Sequence, residues 1–229
     1  MRKLHFIIPV LLSVLTFEII YPKSIITSKA TESKTVYLTF DDGPSAITNE
    51  ILNVLSHYKI KATFFVIGKN VEKHPDILTR IFKDGHAVGV HSYTHIYKEI
   101  YKDEQSLTND INSCICAIKT VNDRFIPRLY RFPGGSFNLK DETKRVPSKL
   151  GLKHFDWNAS CGDCELKTSN YMDLVGFATA TAGKKNNIIL LLHDAPNKTF
   201  TPKALPEIIE YFKNKKLFCF FFVGTKSKK

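Results

Sequence analysis

The sequence of 229 residues lacks several features that mark common protein classes. No strand-like segment is followed by a Gly-x-Gly-x-x-Gly motif, so a dinucleotide-binding domain loses its best support. No run of lysine and arginine is interleaved with aromatic residues, which disfavours a nucleic-acid-binding protein. There is no internal repeat and no low-complexity linker, so the chain fits one sizeable domain with a short extension.

Acidic residues are few relative to basic ones. The chain has 33 lysines and arginines against 22 aspartates and glutamates, which gives a formal net charge of +11. This charge is compatible with a soluble basic surface, and it also suits long-range attraction to an acidic matrix such as a bacterial wall. Hydrophobic residues make up 43% of the chain, an ordinary globular value, so a full core can be buried.

Cysteines are odd in number and imply no disulfide framework. Five are present: Cys114, Cys116, Cys161, Cys164 and Cys219. Cys219 lies in the apolar run LFCFFFVG and is expected in the core. Cys161 and Cys164 have C-x-x-C spacing, which is compatible with a local disulfide or with zinc or redox chemistry. A second cysteine pair at a spacing that suits zinc is missing, which favours the disulfide among these options.

An apolar run that is typical of a targeting segment lies at the start of the chain. Arg2 and Lys3 precede the apolar run Phe6 to Phe17, which has signal-peptide length and is shorter than the roughly 20 residues of a membrane span. We therefore expect residues 1–30 to be a signal peptide or an N-terminal membrane anchor. Residues 31–229 would then form a domain that works outside the cytoplasm, either secreted or at the cell surface.

Short apolar segments alternate with amphipathic segments along the rest of the chain. The apolar segments predict seven strands: Val36–Phe40, Ala62–Ile67, Ala87–Val90, Leu129–Phe132, Lys153–Trp157, Ile188–Leu192 and Leu217–Val223. Between them helical spacing recurs, as at Leu107, Ile111, Cys114 and Ile118. This alternation is typical of a parallel sheet covered on both faces. The sequence therefore predicts an α/β fold, a distorted (β/α) barrel of about seven parallel strands, either complete or incomplete.

Polar residues that can take part in catalysis or bind a metal ion cluster where the predicted strands end. Along the chain they are Asp41, Asp42, His91, His95, Arg131, Asp163, His193 and Asp194. The carboxyl ends of parallel strands gather at one mouth of a barrel, and catalytic residues normally lie there. Residues far apart in the sequence are therefore expected to converge in one site.

The motif HSYTH places His91 and His95 four residues apart, and on a helical turn both imidazoles would point the same way. Two neutral imidazoles and one carboxylate form a common catalytic zinc site with a position open to water. Asp41 and Asp42 can supply that carboxylate and a second one that takes a proton from the water. A histidine pair alone would favour a surface or capping role, but His193 at the same mouth favours the metal.

Two further strand ends carry groups suited to hydrolysis. Arg131 in RLYRFPGGS can hold a carboxylate through bidentate hydrogen bonds, although a plain turn with a surface arginine is the alternative. His193 in IILLLHD suits a general acid, and Asp163 can hydrogen-bond to its ring and keep it protonated. Asp194 is expected to be a capping or loop residue.

Five motifs occur in order along the chain: TFDDGP, HSYTH, RFPGG, DWNASCGD and LLLHD. From about Thr35 to Gly224 they make the sequence similar to the polysaccharide deacetylases, the NodB-homology family or carbohydrate esterase family 4. Within that family the resemblance points to peptidoglycan N-acetylglucosamine deacetylases. It implies a distorted (β/α) barrel and one divalent metal ion, usually zinc or cobalt.

The resemblance also implies roles for the matching residues. Asp42, His91 and His95 would be the metal ligands. Asp41 would be the general base, and Arg131 would orient it.

The resemblance further implies that His193 is the general acid and that Asp163 tunes it. The backbone N–H of Gly134 would help to bind the oxyanion, and Leu191 would line the pocket for the acetyl methyl group. The family often has a tyrosine where this chain has Gly134, and many members have a tryptophan where it has Cys164. Both departures affect the pocket wall, and hence substrate fit rather than the reaction class.

The sequence thus predicts a metal-dependent hydrolase that removes N-acetyl groups from N-acetylglucosamine units of a cell-surface polysaccharide, with peptidoglycan as the leading substrate. A chitooligosaccharide deacetylase, an acetylxylan esterase and a non-catalytic wall-binding module are the alternatives. An iron oxygenase with two histidines and one carboxylate shares the ligand types, but it would not need the remaining acid-base groups. The expected partner is the N-acetylated glycan and not nucleic acid, with membrane contact only through an uncleaved leader.

Overall fold

A computed structural model describes residues 34–167 and 170–222 of the chain. Strands and helices alternate over these residues in the following order: β1 (Thr35–Asp41), α1 (Ala46–Tyr58), β2 (Thr63–Ile67), α2 (Gly68–Lys73), α3 (Pro75–Lys83), β3 (Ala87–Ser92), α4 (Tyr97–Ile100), α5 (Glu104–Val121), β4 (Leu129–Tyr130), α6 (Asp141–Lys149), β5 (Lys153–His154), β6 (Ala159–Ser160), α7 (Tyr171–Ala182), β7 (Asn187–His193), α8 (Thr201–Asn214) and β8 (Phe218–Phe220). The predicted leader, residues 1–30, and the side chain of Cys219 lie outside what the structure describes. Of the described helices, none has the length and apolarity that a membrane crossing requires.

The strands form one curled sheet in the order β5-β4-β3-β2-β1-β7-β6, with β8 also paired to β1. Every pairing is parallel. The predicted fold class, a distorted and incomplete (β/α) barrel, is confirmed. One strand, β6, was not predicted, because two residues are too few to show a period of two.

Strand β1 lies in the middle of the sheet and sets the register of the predicted site. It pairs with β7 along its whole length, so that Asp41 lies directly beside His193. On its other side, the first half of β1 pairs with β8 and the second half with β2. Asp41 therefore lies one strand spacing from His193, at the end of β7, and from Phe65, two residues before the end of β2.

The core lies between the sheet and the surrounding helices. The apolar stripe predicted around Leu107 is confirmed, since Leu107, Ile111, Cys114 and Ile118 are all fully buried on α5. Helix α1 begins with a capping box in which Ser45 accepts a hydrogen bond from the first helical turn, and Thr48 accepts one in return. Fully burying an aliphatic side chain contributes about 1.5–3 kcal/mol, so these faces fix the helices against the sheet.

Candidate active site

Two adjacent carboxylates face one pocket because β1 ends between them. In a continuous strand their side chains would point to opposite faces. Strand β1 ends at Asp41, and Asp42 adopts a left-handed backbone conformation with φ of +77°. The next position must be glycine, because a Cβ atom at Gly43 would lie 2.0 Å from the Asp194 carboxylate. This turn brings the Asp41 and Asp42 side chains to the same pocket.

The two histidines come together through a strand end and a turn, so the predicted helical turn is wrong. His91 is the extra residue at an irregularity where β3 shifts register against β2, a feature that re-aims a side chain. His95 follows in a turn, with φ of +59°, and its N–H donates to the Ser92 hydroxyl. A helix is excluded there because the carboxylate of Asp110 on α5 accepts hydrogen bonds from the turn's backbone and hydroxyl groups.

Asp42, His91 and His95 form a group that we call the ligand cluster. The Asp42 Oδ1 atom lies 3.4 Å from His91 Nε2 and 3.3 Å from His95 Nε2. Asp42 Oδ1 is buried and has no hydrogen-bond partner within the described residues. The Arg131 carbonyl lies 2.8 Å from His91 Nδ1, so that nitrogen donates there and, in the neutral ring, the lone pair is on Nε2. One carboxylate oxygen and two imidazole nitrogens aimed at each other fit a divalent metal ion.

Electrostatics in the ligand cluster also favour a cation. Burial disfavours the carboxylate of Asp42, but the close contact and charge interaction with His91 outweigh burial and lower the pKa of Asp42. Burial likewise opposes protonation of His91, but the charges of Asp41 and Asp42 raise the pKa of His91. For His95, burial and the neighbouring His91 lower the pKa. Two carboxylates thus concentrate negative charge where the imidazole nitrogens converge.

Arg131 is fully buried and fixes Asp41. One nitrogen, Nη1, donates to Asp41 Oδ1 at 2.9 Å and to the Thr39 hydroxyl at 2.7 Å. The Nε atom donates to the Phe155 carbonyl, and the guanidinium lies over the Phe65 ring. The predicted bidentate contact is therefore wrong, because a single nitrogen of Arg131, Nη1, donates to Asp41. Held in this way, the Asp41 side chain has a fixed orientation.

His193 is held by Asp163 in the loop before α7. The Asp163 Oδ1 atom lies 2.7 Å from His193 Nδ1, and Oδ2 accepts hydrogen bonds from the His193 backbone and the Thr201 hydroxyl. Burial lowers the pKa of His193, but the hydrogen bond that the ring donates to Asp163 outweighs burial, and the pKa rises to about 11. At neutral pH the ring is therefore an imidazolium, with Nδ1 turned to Asp163 and the Cys164 sulfur 3.6 Å from Nε2.

A cavity of about 290 Å³ joins these groups. Seven of the nine predicted site residues line it: Asp41, Asp42, His91, His95, Gly134, Leu191 and His193. The other two, Arg131 and Asp163, contact Asp41 and His193 from behind. Asp194 does not line the cavity. It is buried beside α1, accepts a hydrogen bond from Thr48, and has its pKa raised to about 7 by burial.

Three residues that the sequence analysis missed support the site. Asp110 holds the histidine turn, and its signal was available, because it lies on the apolar stripe of α5 beside Leu107 and Ile111. Thr39 shares the Arg131 donor, but nothing in the sequence distinguishes it from other strand threonines. Tyr97 lines the cavity, and a Cβ atom at Gly134 would lie 3.2 Å from its ring. Tyr97 thus fills the space beside the glycine that replaces the family's tyrosine.

Both cysteines of the C-x-x-C segment are free thiols in the structure. Cys161 is buried, and burial raises its pKa well above the ordinary value. Cys164 is exposed and lines the cavity. The two thiols therefore face different environments.

Comparison with known proteins places this architecture in one family. The sequence profile of the polysaccharide deacetylases matches residues 28–155. A peptidoglycan-N-acetylglucosamine deacetylase of Bacillus cereus is 32% identical over 188 residues, 80% of this chain and 67% of the relative. A bifunctional xylanase/deacetylase of Pseudobutyrivibrio xylanivorans is 35% identical over 79% of this chain, which spans only 28% of that enzyme.

A solved structure agrees with the sequence matches. The carbohydrate esterase family 4 esterase of Streptococcus mutans superimposes with a TM-score of 0.77 at 31% identity, covering 82% of this chain and 86% of the other. The resemblance found in the five motifs is therefore confirmed over most of the domain. The chain belongs to the polysaccharide deacetylase family, also known as the NodB-homology family, and is a hydrolase that acts on amide bonds.

Proposed function

We propose that the protein is a metal-dependent N-deacetylase that removes acetyl groups from N-acetylglucosamine units of peptidoglycan. The observation that carries this proposal is the meeting of three groups in one cavity: the ligand cluster, the Asp41–Arg131 pair and the His193–Asp163 pair. The relatives support the glycan, since the similar Bacillus cereus protein is a peptidoglycan-N-acetylglucosamine deacetylase.

The ligand cluster would hold one divalent ion, zinc or cobalt, through Asp42, His91 and His95. When bound, such an ion supplies Lewis-acid polarisation of the amide carbonyl and of a water molecule. His91 is prepared for this role by its Nδ1 contact with the Arg131 carbonyl, which directs Nε2 towards Asp42.

Proton transfer would run between the two paired residues. Asp41, oriented by Arg131, accepts the proton of the attacking water. The backbone N–H of Gly134 donates to the oxyanion that forms at the former carbonyl oxygen, and Leu191 contacts the acetyl methyl group. His193 then gives its Nε2 proton to the leaving amine, and Asp163 stabilises the ring throughout.

The place of action that we propose is the cell surface or the extracellular space. The basic start and short apolar run within residues 1–30 support export or anchoring. A net charge of +11 supports attraction to anionic wall polymers.

Acetate release from a substrate panel tests this proposal. The panel consists of peptidoglycan, chitin oligomers and acetylxylan, each with and without a chelator. We expect the fastest release from peptidoglycan, loss of release with the chelator, and recovery on adding zinc or cobalt. Release from acetylxylan alone would instead favour the activity class named for the Pseudobutyrivibrio relative. No release from any substrate would favour a wall-binding module.

A further inference from the structure

Exposed aromatic side chains border the catalytic cavity. Tyr97 lines the cavity although it is 49% exposed, and Phe137 is 59% exposed. Phe137 packs against Trp157, which also lines the cavity, with ring centroids 5.4 Å apart and ring planes at 82°. Exposed apolar side chains that are scattered singly need no explanation, but rings grouped at the mouth of a cavity indicate a binding surface.

These rings lie directly against the backbone of Gly134 and Gly135. A Cβ atom at Gly134 would lie 3.2 Å from the Tyr97 ring, and one at Gly135 would lie 2.7 Å from Phe137 and 3.1 Å from Trp157. Both glycines have positive φ, +75° and +80°, so a larger residue would be strained at either position. The backbone that carries the proposed oxyanion donor is therefore bordered by aromatic rings.

Hydrogen bonds hold Phe137 and Trp157 in place. The Ser136 N–H donates to Asp156 Oδ1 at 2.9 Å, and the Ser136 hydroxyl donates to Oδ2 of the same carboxylate. These two contacts tie the residue before Phe137 to the residue before Trp157. The two rings thus form a surface that is ordered before any ligand arrives, which reduces the entropy lost on binding.

A pyranose ring has the chemistry that fits this surface. Its C–H groups form an apolar face that packs on an aromatic ring, while its hydroxyl groups stay in contact with water. The cavity of about 290 Å³ is at the small end of ligand sites, which suits one sugar unit rather than a chain. Phe137 does not line the cavity itself, so a sugar that stacks on Phe137 is a neighbour of the reacting one.

We propose that Phe137, held by Trp157, stacks on the sugar unit next to the one that is deacetylated. The protein then binds glycan chains more tightly than single sugars. Because the aromatic surface is continuous with the catalytic cavity, its occupant is the substrate chain that enters this cavity. The identity of that chain rests on the proposed function, whereas the aromatic surface does not.

The single tryptophan of the chain allows a test without any assay of activity. Fluorescence of Trp157 is titrated with N-acetylglucosamine and with its tetramer, in rapid-mixing experiments that end before turnover. We expect the tetramer to bind more tightly than the monomer. In Phe137→Ala the Kd of the tetramer should rise about three- to tenfold, as for the loss of an aromatic contact, while that of the monomer stays unchanged. Phe137→Tyr keeps the ring and should bind like the native protein.

The matched control is Ile126→Ala, which removes an exposed apolar side chain between α5 and β4 and should keep the native affinity. Equal affinity for the tetramer in the native protein and in Phe137→Ala would overturn the proposal. So would a Phe137→Tyr variant that binds as weakly as Phe137→Ala, or a tetramer that binds no more tightly than the monomer. Absence of tetramer binding, by fluorescence and by calorimetry alike, would have the same meaning.

Kinetics of acetate release separate stacking from positioning of the catalytic backbone. A contact made equally in the substrate complex and in the transition state changes KM and leaves kcat unchanged. We therefore expect Phe137→Ala to raise KM for the tetramer about three- to tenfold at nearly constant kcat. A fall in kcat at constant KM would show instead that Phe137 positions Gly134. Were no acetate released from any substrate, the proposed function would fail while the fluorescence titration still decided the role of Phe137.

Discussion

At the scale of single residues, the two adjacent acids of this site have different partners and different expected roles. Asp41 is fixed by Arg131, whereas Asp42 leaves one buried oxygen facing two imidazole nitrogens. The left-handed backbone at Asp42 makes this division possible, because it turns the second carboxylate back to the cavity. The two acids therefore have different partners despite being neighbours in the sequence, and their removal should have different consequences.

Replacing each acid by asparagine should separate their roles. Asp42→Asn removes a charged ligand, so we expect lower metal content and partial recovery of turnover in excess metal. Asp41→Asn keeps the ligand cluster, so the ion should stay bound while turnover falls about 10²–10⁴-fold, as for a missing general base. Elemental analysis and acetate release on both variants make the measurement. A metal-free Asp41→Asn beside a metal-loaded Asp42→Asn would reverse the assignment.

Asp163 should set the pH range in which His193 remains an acid. A pKa of about 11 keeps the His193 ring protonated at and below neutral pH and well into the alkaline range. Asp163→Asn removes the main cause of that rise, so the pKa of His193 should fall and the acid form should be lost at lower pH. We expect a larger loss of kcat/KM at about pH 9 than at about pH 6.

The control for this pH profile is Glu207→Gln, which removes an exposed acid on α8. Its profile should follow that of the native protein. An Asp163→Asn profile that is lower by the same factor at every pH would indicate a merely structural role for Asp163.

At the scale of secondary-structure elements, α5 holds the histidine turn. The Asp110 carboxylate accepts hydrogen bonds from the Ser92 hydroxyl and from the backbone of Tyr93 and Thr94. Ser92 in turn accepts from the N–H of His95. The position of His95 thus depends on a helix that contributes no residue to the lining of the cavity.

Removing the charge of Asp110 should weaken metal binding without removing a ligand. In Asp110→Asn, an NH₂ group replaces one carboxylate oxygen. That group cannot accept the hydrogen bonds of the N–H and O–H donors that face it. We expect metal affinity to fall about 10–100-fold, as for other residues that orient ligands. Competition with a chromogenic chelator measures this affinity. The control Asp123→Asn changes an exposed acid beyond the end of α5, and equal affinities in the two variants would contradict the role of Asp110.

His86 joins the beginnings of β2 and β3. Its Nδ1 atom accepts a hydrogen bond from the Ala62 backbone N–H, which requires the neutral ring. Burial lowers its pKa from 6.5 to about 4, so between these values the unfolded chain binds a proton that the folded chain does not. This contribution to stability is therefore complete above about pH 6.5 and is lost as the pH falls towards 4, by on the order of 3 kcal/mol.

Urea unfolding at several pH values tests this linkage. His86→Gln keeps a side-chain acceptor but does not titrate, so its free energy of unfolding should vary less between about pH 6.5 and about pH 4. His57→Gln, an exposed histidine on α1, should retain the native dependence. The same slope in His86→Gln and in the native protein would show that other groups cause it.

At the scale of the whole molecule, the formal net charge of +11 should attract a polymeric, anionic substrate. Long-range attraction weakens as salt shortens the Debye length from about 30 Å at 0.01 M to about 8 Å at 0.15 M. We expect KM for peptidoglycan with its anionic polymers to rise over this range, and KM for a neutral chitin oligomer to stay nearly constant. Equal salt effects on both substrates would show that the net charge does not steer the enzyme to the wall.

The sequence by itself determined the alternation of strands and helices, apart from the two-residue strand β6, and the gathering of polar residues at strand ends. Those features follow from local periodicity, and a parallel arrangement then brings Asp41 and His193 together without knowledge of any single contact. Membership of the polysaccharide deacetylase family could also be predicted from the sequence, because five motifs keep their order along the chain.

Only the tertiary structure decided how the side chains meet. The register shift at His91, the Asp110 contacts with the histidine turn and the sharing of Arg131 with Thr39 all join different elements of the fold. The sulfur of Cys164 likewise meets His193 across 29 residues of sequence. Sequence periodicity reports which face of an element is buried, but such contacts depend on backbone turns and on the choice among neighbouring partners. These are fixed only when the packed elements exclude every other arrangement.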